Sequence, residues 1–417
     1  MDDLSRGHCS MKNFVRIPIC AVFISVLFVS PTTLAAQGTP LKTLFLDKDM
    51  LEQIKTGYVK QENAYQPVVK KILDESKKLL KERSVSVMDK STTLPGGDKH
   101  DFLSMAPYFW PDPTKKDGLP YIQRDGERNP EIYGITDKDY LSKTLDASQL
   151  LAISWFITGD SKYSAKAAEN IRVWFLDRET RMNPNFTHAQ FVRGLNDGRG
   201  TGLISAHDLY KALDAILLLG RSREWTGTDD QNIRAWFEEY FTWLTTDKNG
   251  IDESSRENNH GTWYDVQAAS IALFLGKEEY VRNLLEAAKE KRIASQIEKD
   301  GTLPNELRRT RSWHYSCMNL AAFMHLALLG DHVHVDLWNH EARQGGSIRK
   351  AVNFLLPFVS DSSKWAHKQI TPFQSESESV WFLHWAEKKY DKKMYASDWL
   401  KKASSDKNLV SVYDLFY

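Results

Sequence analysis

Apolar residues recur at intervals of three and four positions through most of the chain after residue 45, and strand-like alternation is scarce. This period is typical of helices that bury one face. The pattern predicts helices at residues 48–82, 139–158, 161–177, 204–219, 229–246, 263–275, 278–291, 313–329, 347–359 and 378–390. The sequence therefore indicates an all-α protein.

Four glycines each follow an apolar run, at a place that suits the C-cap of a helix: Gly159, Gly220, Gly276 and Gly330. Their successive spacings are 61, 56 and 54 residues, and each interval holds about two helices. A helical hairpin repeated at this period is typical of an α/α toroid or an α-solenoid. We predict a single (α/α) toroid, also called a barrel, that is either closed or incomplete.

Two polar segments rich in Pro and Gly interrupt the helical pattern, at residues 84–137 and 182–203. Long structured loops on a rigid scaffold are where binding residues tend to lie. The candidate substrate-binding residues are therefore sought in these two loops.

The N-terminus has the pattern of an export signal. Lys12 and Arg16 precede an apolar stretch at residues 17–29, which is too short to span a bilayer comfortably, and small residues follow up to Ala36. We expect a signal peptide at residues 1–36, with Met11 as an alternative start. Residues 37–417 then form one domain, periplasmic or secreted and without a membrane anchor. Cys317 would be its single cysteine, which excludes an intramolecular disulfide.

Composition excludes some partners. The chain has 55 basic and 55 acidic residues, so its net charge does not point to nucleic acid. A polyanionic ligand would need a local positive field, which Arg308, Arg309 and Arg311 could supply.

The 13 Trp residues suit either a sugar-binding cleft or a large helical core. No His-x-x-x-His or Cys-x-x-Cys spacing occurs, so neither a metal nor another cofactor is expected.

Two short segments carry candidate chemistry. Asn259 and His260 stand just ahead of an apolar helix, where they could reach a cleft or merely cap the helix. Arg308, Arg311 and Tyr315 would share one face if the helix were continuous. A guanidinium near a phenol favours phenolate and makes Tyr a better base. The alternative is a solvated basic turn beside a core tyrosine.

Together these marks resemble the alginate lyase superfamily: Asn259-His260, then Arg308 after 48 residues, then Tyr315 seven further on. Supporting marks are residues 108–113, Tyr121, Asn129-Pro130 and residues 190–200. The resemblance covers about residues 100–390 and implies an α/α toroid that cleaves a uronic-acid polymer by β-elimination. The loops look closer to the Bacteroidetes-type branch than to the periplasmic enzymes of alginate exporters. The substrate therefore stays open between alginate, mannuronate-rich by preference, and glucuronan or another uronan.

The resemblance also implies roles for particular residues. A uronate lyase removes a weakly acidic C5 proton, so its site must neutralise the adjacent carboxylate and supply a base and an acid. Asn259, His260 and Arg308 would neutralise the carboxylate, and Tyr315 would be the base. With mannuronate the same phenol could return the proton to the leaving oxygen, whereas with guluronate His260 could act as base and Tyr315 as acid. The candidate substrate contacts are Gln190, His188, Asn196, Arg199 and, for stacking, Trp110.

Two other classes of protein remain open at this point. An α/α-barrel glycoside hydrolase would need two carboxylates that flank the scissile bond. Glu253, Glu257, Asp265 and Glu306 are available, but no pair among them stands out. A non-catalytic glycan-binding protein would explain the aromatic residues but not the surroundings of Tyr315.

Overall fold

Helices make up most of the chain that the computed structural model describes, which is residues 41–373 and 375–390. The expected signal peptide and the start of the mature domain lie outside the described residues. The α-helices are α1 (Lys48–Val59), α2 (Gln66–Leu79), α3 (Asp137–Thr158), α4 (Ser161–Ile171), α5 (Tyr210–Leu219), α6 (Gly227–Thr246), α7 (Lys248–Ser254), α8 (Asn259–Phe274), α9 (Glu278–Ala288), α10 (Pro304–Leu307), α11 (Ser312–Val333), α12 (Ile348–Ser360) and α13 (Ser375–Lys389).

The helices form two layers. Helices α3, α5, α8 and α11 pack side by side in sequence order and are buried on nearly every face. Helices α4, α9 and α12 pack outside them and bury one face each, as amphipathic sequences do. This alternation of inner and outer helices is an α/α toroid, so the predicted fold class is confirmed.

The inner helices share one direction. Each outer helix returns the chain to the end from which the previous inner helix started, so successive inner helices run parallel. The N-termini of α3, α8 and α11 therefore gather at one end of the toroid. Unpaired N–H groups give that end a partial positive charge that favours anions.

Asp47 joins the first and the last of the described helices. Its carboxylate caps the start of α1, lies 3.0 Å from Nε2 of His384 and accepts a 2.6 Å hydrogen bond from Nζ of Lys388 in α13. Burial opposes ionisation, but the hydrogen bonds with His384 and Lys388 hold the pKa of Asp47 well below its usual value. An ion pair shielded from water thus connects elements some 340 residues apart in the chain.

Most predicted helices are present, but several boundaries differ. The segment predicted as one helix at 48–82 is two, because the chain turns after Val59 with Gln61 at φ +57° and Pro67 begins the next helix. The start of the helix predicted at 204–219 is a 3₁₀ segment, Gly200–Leu209, that leads into α5.

The glycine caps are right in part. Gly159 and Gly276 adopt φ +72° and +82°, the left-handed conformation that ends helices. Gly220 ends α5 in a right-handed conformation, which any residue adopts. The prediction for Gly330 is wrong: it lies inside α11, whose C-cap is His334, and a Cβ there would overlap the carbonyl of Val335.

Short strands tie the two long loops together, although the hydrophobic pattern predicts none. Strand β1 (Leu103–Met105) pairs in parallel with β4 (His188–Phe191), and β2 (Phe109–Trp110) pairs antiparallel with β3 (Ile122–Gln123). Because these loops precede α3 and α5, they cover the end of the toroid where the inner helices begin.

The ion pair between Arg172 and Asp229 allows a test of what stabilises the outer layer of helices. Both Nε and Nη2 of Arg172 donate to Asp229, at 2.8 and 2.7 Å, and Asp229 also caps α6 through Thr226. The hydrogen bonds from Arg172 lower the pKa of Asp229 from 3.8 to about 2. A lowered folded-state pKa means that the stabilisation is present above pH 4 and is lost as the pH falls toward 2.

We therefore expect Asp229→Asn to lower the free energy of unfolding at pH 7 by about 1 kcal/mol, a figure reduced for solvent screening. Urea unfolding at pH 7 and at pH 2 measures the effect, which should shrink at the lower pH. The control is Asp230→Asn, which removes only an exposed pair with Arg234 four residues along the helix. Equal losses for the two variants would contradict this account.

Candidate active site

His260 is held by a buried carboxylate. It follows the first residue of α8, and Asn258 caps that helix by accepting a hydrogen bond from the His260 N–H. Nδ1 of His260 lies 2.7 Å from Oε1 of Glu253, whose side chain is 1% exposed. A carboxylate oxygen accepts hydrogen bonds, so Nδ1 donates to Glu253, and Nε2 is left as the ring nitrogen available to exchange a proton.

Arg292 fixes the turn that presents His260. Its Nη1 and Nη2 donate to the carbonyls of Arg256 and Ser254 at 2.7 and 2.8 Å, while Asp265 pairs with the same guanidinium. A Cβ at Gly261 would overlap the Arg256 carbonyl and the Arg292 guanidinium. The residue after His260 must therefore lack a side chain so that the turn can pack this closely.

Asn259 is held by a second buried carboxylate, Glu306. Oε1 of Glu306 accepts from the backbone N–H of Asn259 at 2.7 Å, and Oε2 accepts from its side-chain amide at 2.8 Å. Asn319 adds a longer bond of 3.2 Å. Burial raises the pKa of Glu306, whereas Asn259 and the charges of Arg309 and His260 oppose the rise. Glu306 thus holds Asn259 and is close enough to Arg309 and His260 for their charges to act on it.

Tyr315 stands in the first turns of α11 and is largely buried. It donates a 2.9 Å hydrogen bond to the hydroxyl of Tyr108, and the guanidinium of Arg309 lies 3.8 Å from its ring centroid. Asp125 anchors Arg309 through a 2.7 Å ion pair. Burial raises the pKa of Tyr315 above its usual value and Tyr108 adds to the rise, while Arg309 opposes it. The phenol therefore holds its proton in the free protein.

These contacts correct the expectation for the arginines. Arg308 to Arg311 lie in a turn between α10 and α11, so the continuous helix that would place Arg308 beside Tyr315 is absent there. Arg308 is exposed and hydrogen-bonded to Asn305, and it is Arg309 that contacts the phenol ring. The net effect of the surroundings is to raise the pKa of Tyr315, not to lower it.

Gln190 and Arg199 connect the second loop to this group. Nη2 of Arg199 donates to Oε1 of Gln190 at 2.8 Å, and its guanidinium lies 4.8 Å from the ring centroid of Phe109. Burial lowers the pKa of Arg199 to about 10, while the charge of Glu253 opposes the shift. Arg199 is thus still a cation at neutral pH, close to the carboxylate that orients His260.

Two other predicted substrate contacts, His188 and Asn196, make hydrogen bonds within their own loop. His188 Nδ1 lies 3.0 Å from the Asp197 carbonyl, and Oδ1 of Asn196 accepts from the N–H groups of Val192 and Gly198. Substrate contact by His188 and Asn196 stays a prediction.

Trp110 and Arg311 lie apart from this group of residues. The indole N–H of Trp110 donates to Glu127, with Arg124 against its ring. Arg311 turns toward residues 369–371, where its Nε donates to Thr371. A role for either residue in binding the substrate is likewise still a prediction.

Sequence reasoning missed the residues that position the site. From the sequence, Glu253 and Glu306 are candidates only for the carboxylates of a hydrolase. In the structure Glu253 is hydrogen-bonded to His260, and Glu306 is hydrogen-bonded to Asn259. Tyr108 was noted without a role. Within the described ranges, no group of three or more His, Cys, Asp or Glu side chains could hold a metal ion. No helix in that part of the chain is long and apolar enough to cross a membrane.

The α/α toroid thus gathers an oriented imidazole, a buried phenol and guanidinium groups at the end where its inner helices begin, an arrangement typical of an enzyme site. The alginate lyase family model matches residues 86–365. The crystal structure of an alginate lyase from Bacteroides ovatus is 33% identical, with a TM-score of 0.84, over 90% of this chain and 99% of that chain. The chain belongs to the alginate lyase family, and it is a polysaccharide lyase.

Other similar structures are more distant. Alginate lyase A1-III from Sphingomonas species A1 is 16% identical with a TM-score of 0.51, over 86% of this chain and 94% of that chain. A variant of alginate lyase A1-III complexed with a tetrasaccharide is 14% identical with a TM-score of 0.55, over 86% and 92% of the two chains. At these identities the likeness shows the fold alone. Comparison with curated protein sequences gives no significant match.

Gly261 gives a test of the packing behind His260. We expect Gly261→Ala to lower the free energy of unfolding by about 2 kcal/mol or more, because the methyl group must displace a carbonyl and a buried guanidinium. Urea denaturation measures this change. Gly227→Ala is the control, since a Cβ there meets nothing within 4 Å and alanine favours the helix. A Gly261→Ala protein as stable as this control would show that the turn is not tightly packed.

Proposed function

We propose that this lyase cleaves a uronic-acid polymer by β-elimination, with alginate as the first candidate. The observation that carries the proposal is the grouping of Asn259, His260 and Arg309 around Glu306, with Tyr315 against Arg309. The relatives named alginate lyases support alginate. The N-terminal sequence pattern also leads us to propose that the protein is exported to the periplasm or beyond.

The electrostatics of the site suit the difficult step of this reaction. Removal of the C5 proton moves negative charge onto the neighbouring carboxylate, which is already an anion. In our proposal Asn259, His260 and Arg308 face that carboxylate, and the N-terminus of α8 adds its partial positive charge. Glu306 and Glu253 act by holding Asn259 and His260 in place through hydrogen bonds.

Two routes for the protons are open to these residues. In one, Nε2 of His260 takes the C5 proton, the C4–O4 bond breaks, and the Tyr315 hydroxyl protonates O4. This route suits guluronate, where the proton and the leaving oxygen lie on opposite faces. In the other, Tyr315 performs both transfers, which suits mannuronate. That route starts from a phenolate, which burial disfavours and which the charge of Arg309 supports.

Tyr315→Phe tests the central assignment. The variant keeps the ring and removes the oxygen that both routes use, so we expect no unsaturated product at 235 nm from either mannuronate or guluronate blocks. Stability should change by about 1 kcal/mol, the value of one hydrogen bond. His260→Ala should impair guluronate cleavage at least as much as mannuronate cleavage. A folded Tyr315→Phe protein with nearly wild-type rates would refute the mechanism.

The arginines give a second test. We expect Arg308→Ala to lower turnover by about two to four orders of magnitude without loss of stability, because its exposed side chain fills no core space. Arg309→Ala should also lower the thermal midpoint, because it leaves Asp125 without its ion pair and uncovers the Tyr315 ring. If Arg309→Ala abolishes turnover while Arg308→Ala barely changes it, then Arg309 faces the substrate carboxylate.

A further inference from the structure

A small cavity opens beside the two tyrosines, where β1 and β4 meet the start of α3. Its lining includes Ser104, Pro107, Arg128, Lys138, Asp139 and Gln190. Pro107 precedes Tyr108, the hydroxyl partner of Tyr315, so the cavity borders the reaction centre described above. Arg128, Lys138 and Gln190 are among the lining side chains that carry hydrogen-bond donors.

Gln190 lines this cavity and carries an amide N–H₂ group. An Arg guanidinium can only donate, so the bond from Arg199 identifies the bound atom of Gln190 as Oε1 and leaves Nε2 on the other side. Nε2 has no hydrogen-bond acceptor among the described residues, although Gln190 is only 7% exposed. The backbone of Gln190 is also held at φ +50°, which is strained for a residue with a side chain.

Lys138 and Arg128 bring two positive charges to the same cavity. Neither makes a hydrogen bond or ion pair with another residue in the described part of the chain. Burial lowers the pKa of Lys138, and the charge of Arg128 lowers it further, against the opposing effects of Tyr108, Asp139 and Asp208. Asp139, the one carboxylate in the lining, makes no ion pair with either cation within the described ranges. The two neighbouring cations repel each other, and a bound anion would relieve that repulsion.

We propose that this cavity binds the carboxylate of a second uronate unit, adjacent in the polymer to the unit at which elimination occurs. The inference rests on the proposed function. A guanidinium fork, an ammonium group and an amide N–H₂ together match the two oxygens of a carboxylate. Because every unit of a uronan carries one carboxylate, a pocket of this kind beside the phenols fixes the register of the chain in the cleft.

Steady-state rates at 235 nm test the pocket with Lys138→Met and Arg128→Met, which remove charge and keep most of the side-chain length. Each should raise KM for a polyuronate about tenfold and change kcat by less than about threefold, because the pocket holds a unit that does not react. The increase in KM should shrink at high salt, where the wild-type protein loses the same attraction. Arg128 and Lys138 are both exposed, so both variants are expected to fold.

The matched control is Lys143→Met, on the same helix but paired with Glu82 away from the cavity, and its KM should equal that of the wild type. Unchanged KM values for both pocket variants, or a fall in kcat alone, would overturn the inference while the lyase activity stands. A wild-type protein that forms no product absorbing at 235 nm from any uronan would overturn the proposed function and this inference together.

Discussion

Two carboxylates buried beneath the start of α8 set the geometry of this site. An unpaired charge inside a protein is costly, so Glu253 and Glu306 are stable only with their hydrogen bonds in place. Glu253 has His260 as its partner, and Glu306 has both the backbone and the side chain of Asn259. The same bonds that make these buried acids tolerable therefore fix the imidazole and the amide of the candidate site.

The toroid supplies the electrostatic setting for that arrangement. The chain as a whole carries no net charge, yet its parallel inner helices bring several N-termini to one end. The loop cations Arg128, Arg199 and Arg309 lie at this end too. This end of the molecule therefore combines the partial positive charge of helix N-termini with that of side-chain cations.

Tyr315 shows how burial and charge compete in the site. Removing the phenol from water favours its protonated form, whereas the guanidinium of Arg309 against the ring favours the phenolate. Burial has the larger effect in the free protein. A phenol that keeps its proton can donate it to a leaving oxygen at once. To act as a base it must first lose that proton, and a nearby anionic carboxylate opposes the phenolate while Arg309 supports it.

The sequence by itself determined the all-helical class, because the period of three and four residues is a local property of the chain. The glycine spacing also indicated the toroid, although Gly330 lies inside α11 and caps no helix. The sequence also marked Asn259, His260 and Tyr315, through short motifs in a fixed order. Only the tertiary structure decided which arginine meets the phenol, because the break between α10 and α11 turns Arg309, not Arg308, onto the ring. The partners Tyr108, Glu253 and Glu306 likewise follow no local pattern. They meet the reactive residues across 207, 7 and 47 positions of sequence, and contacts of that kind are set by how the helices pack rather than by any one segment.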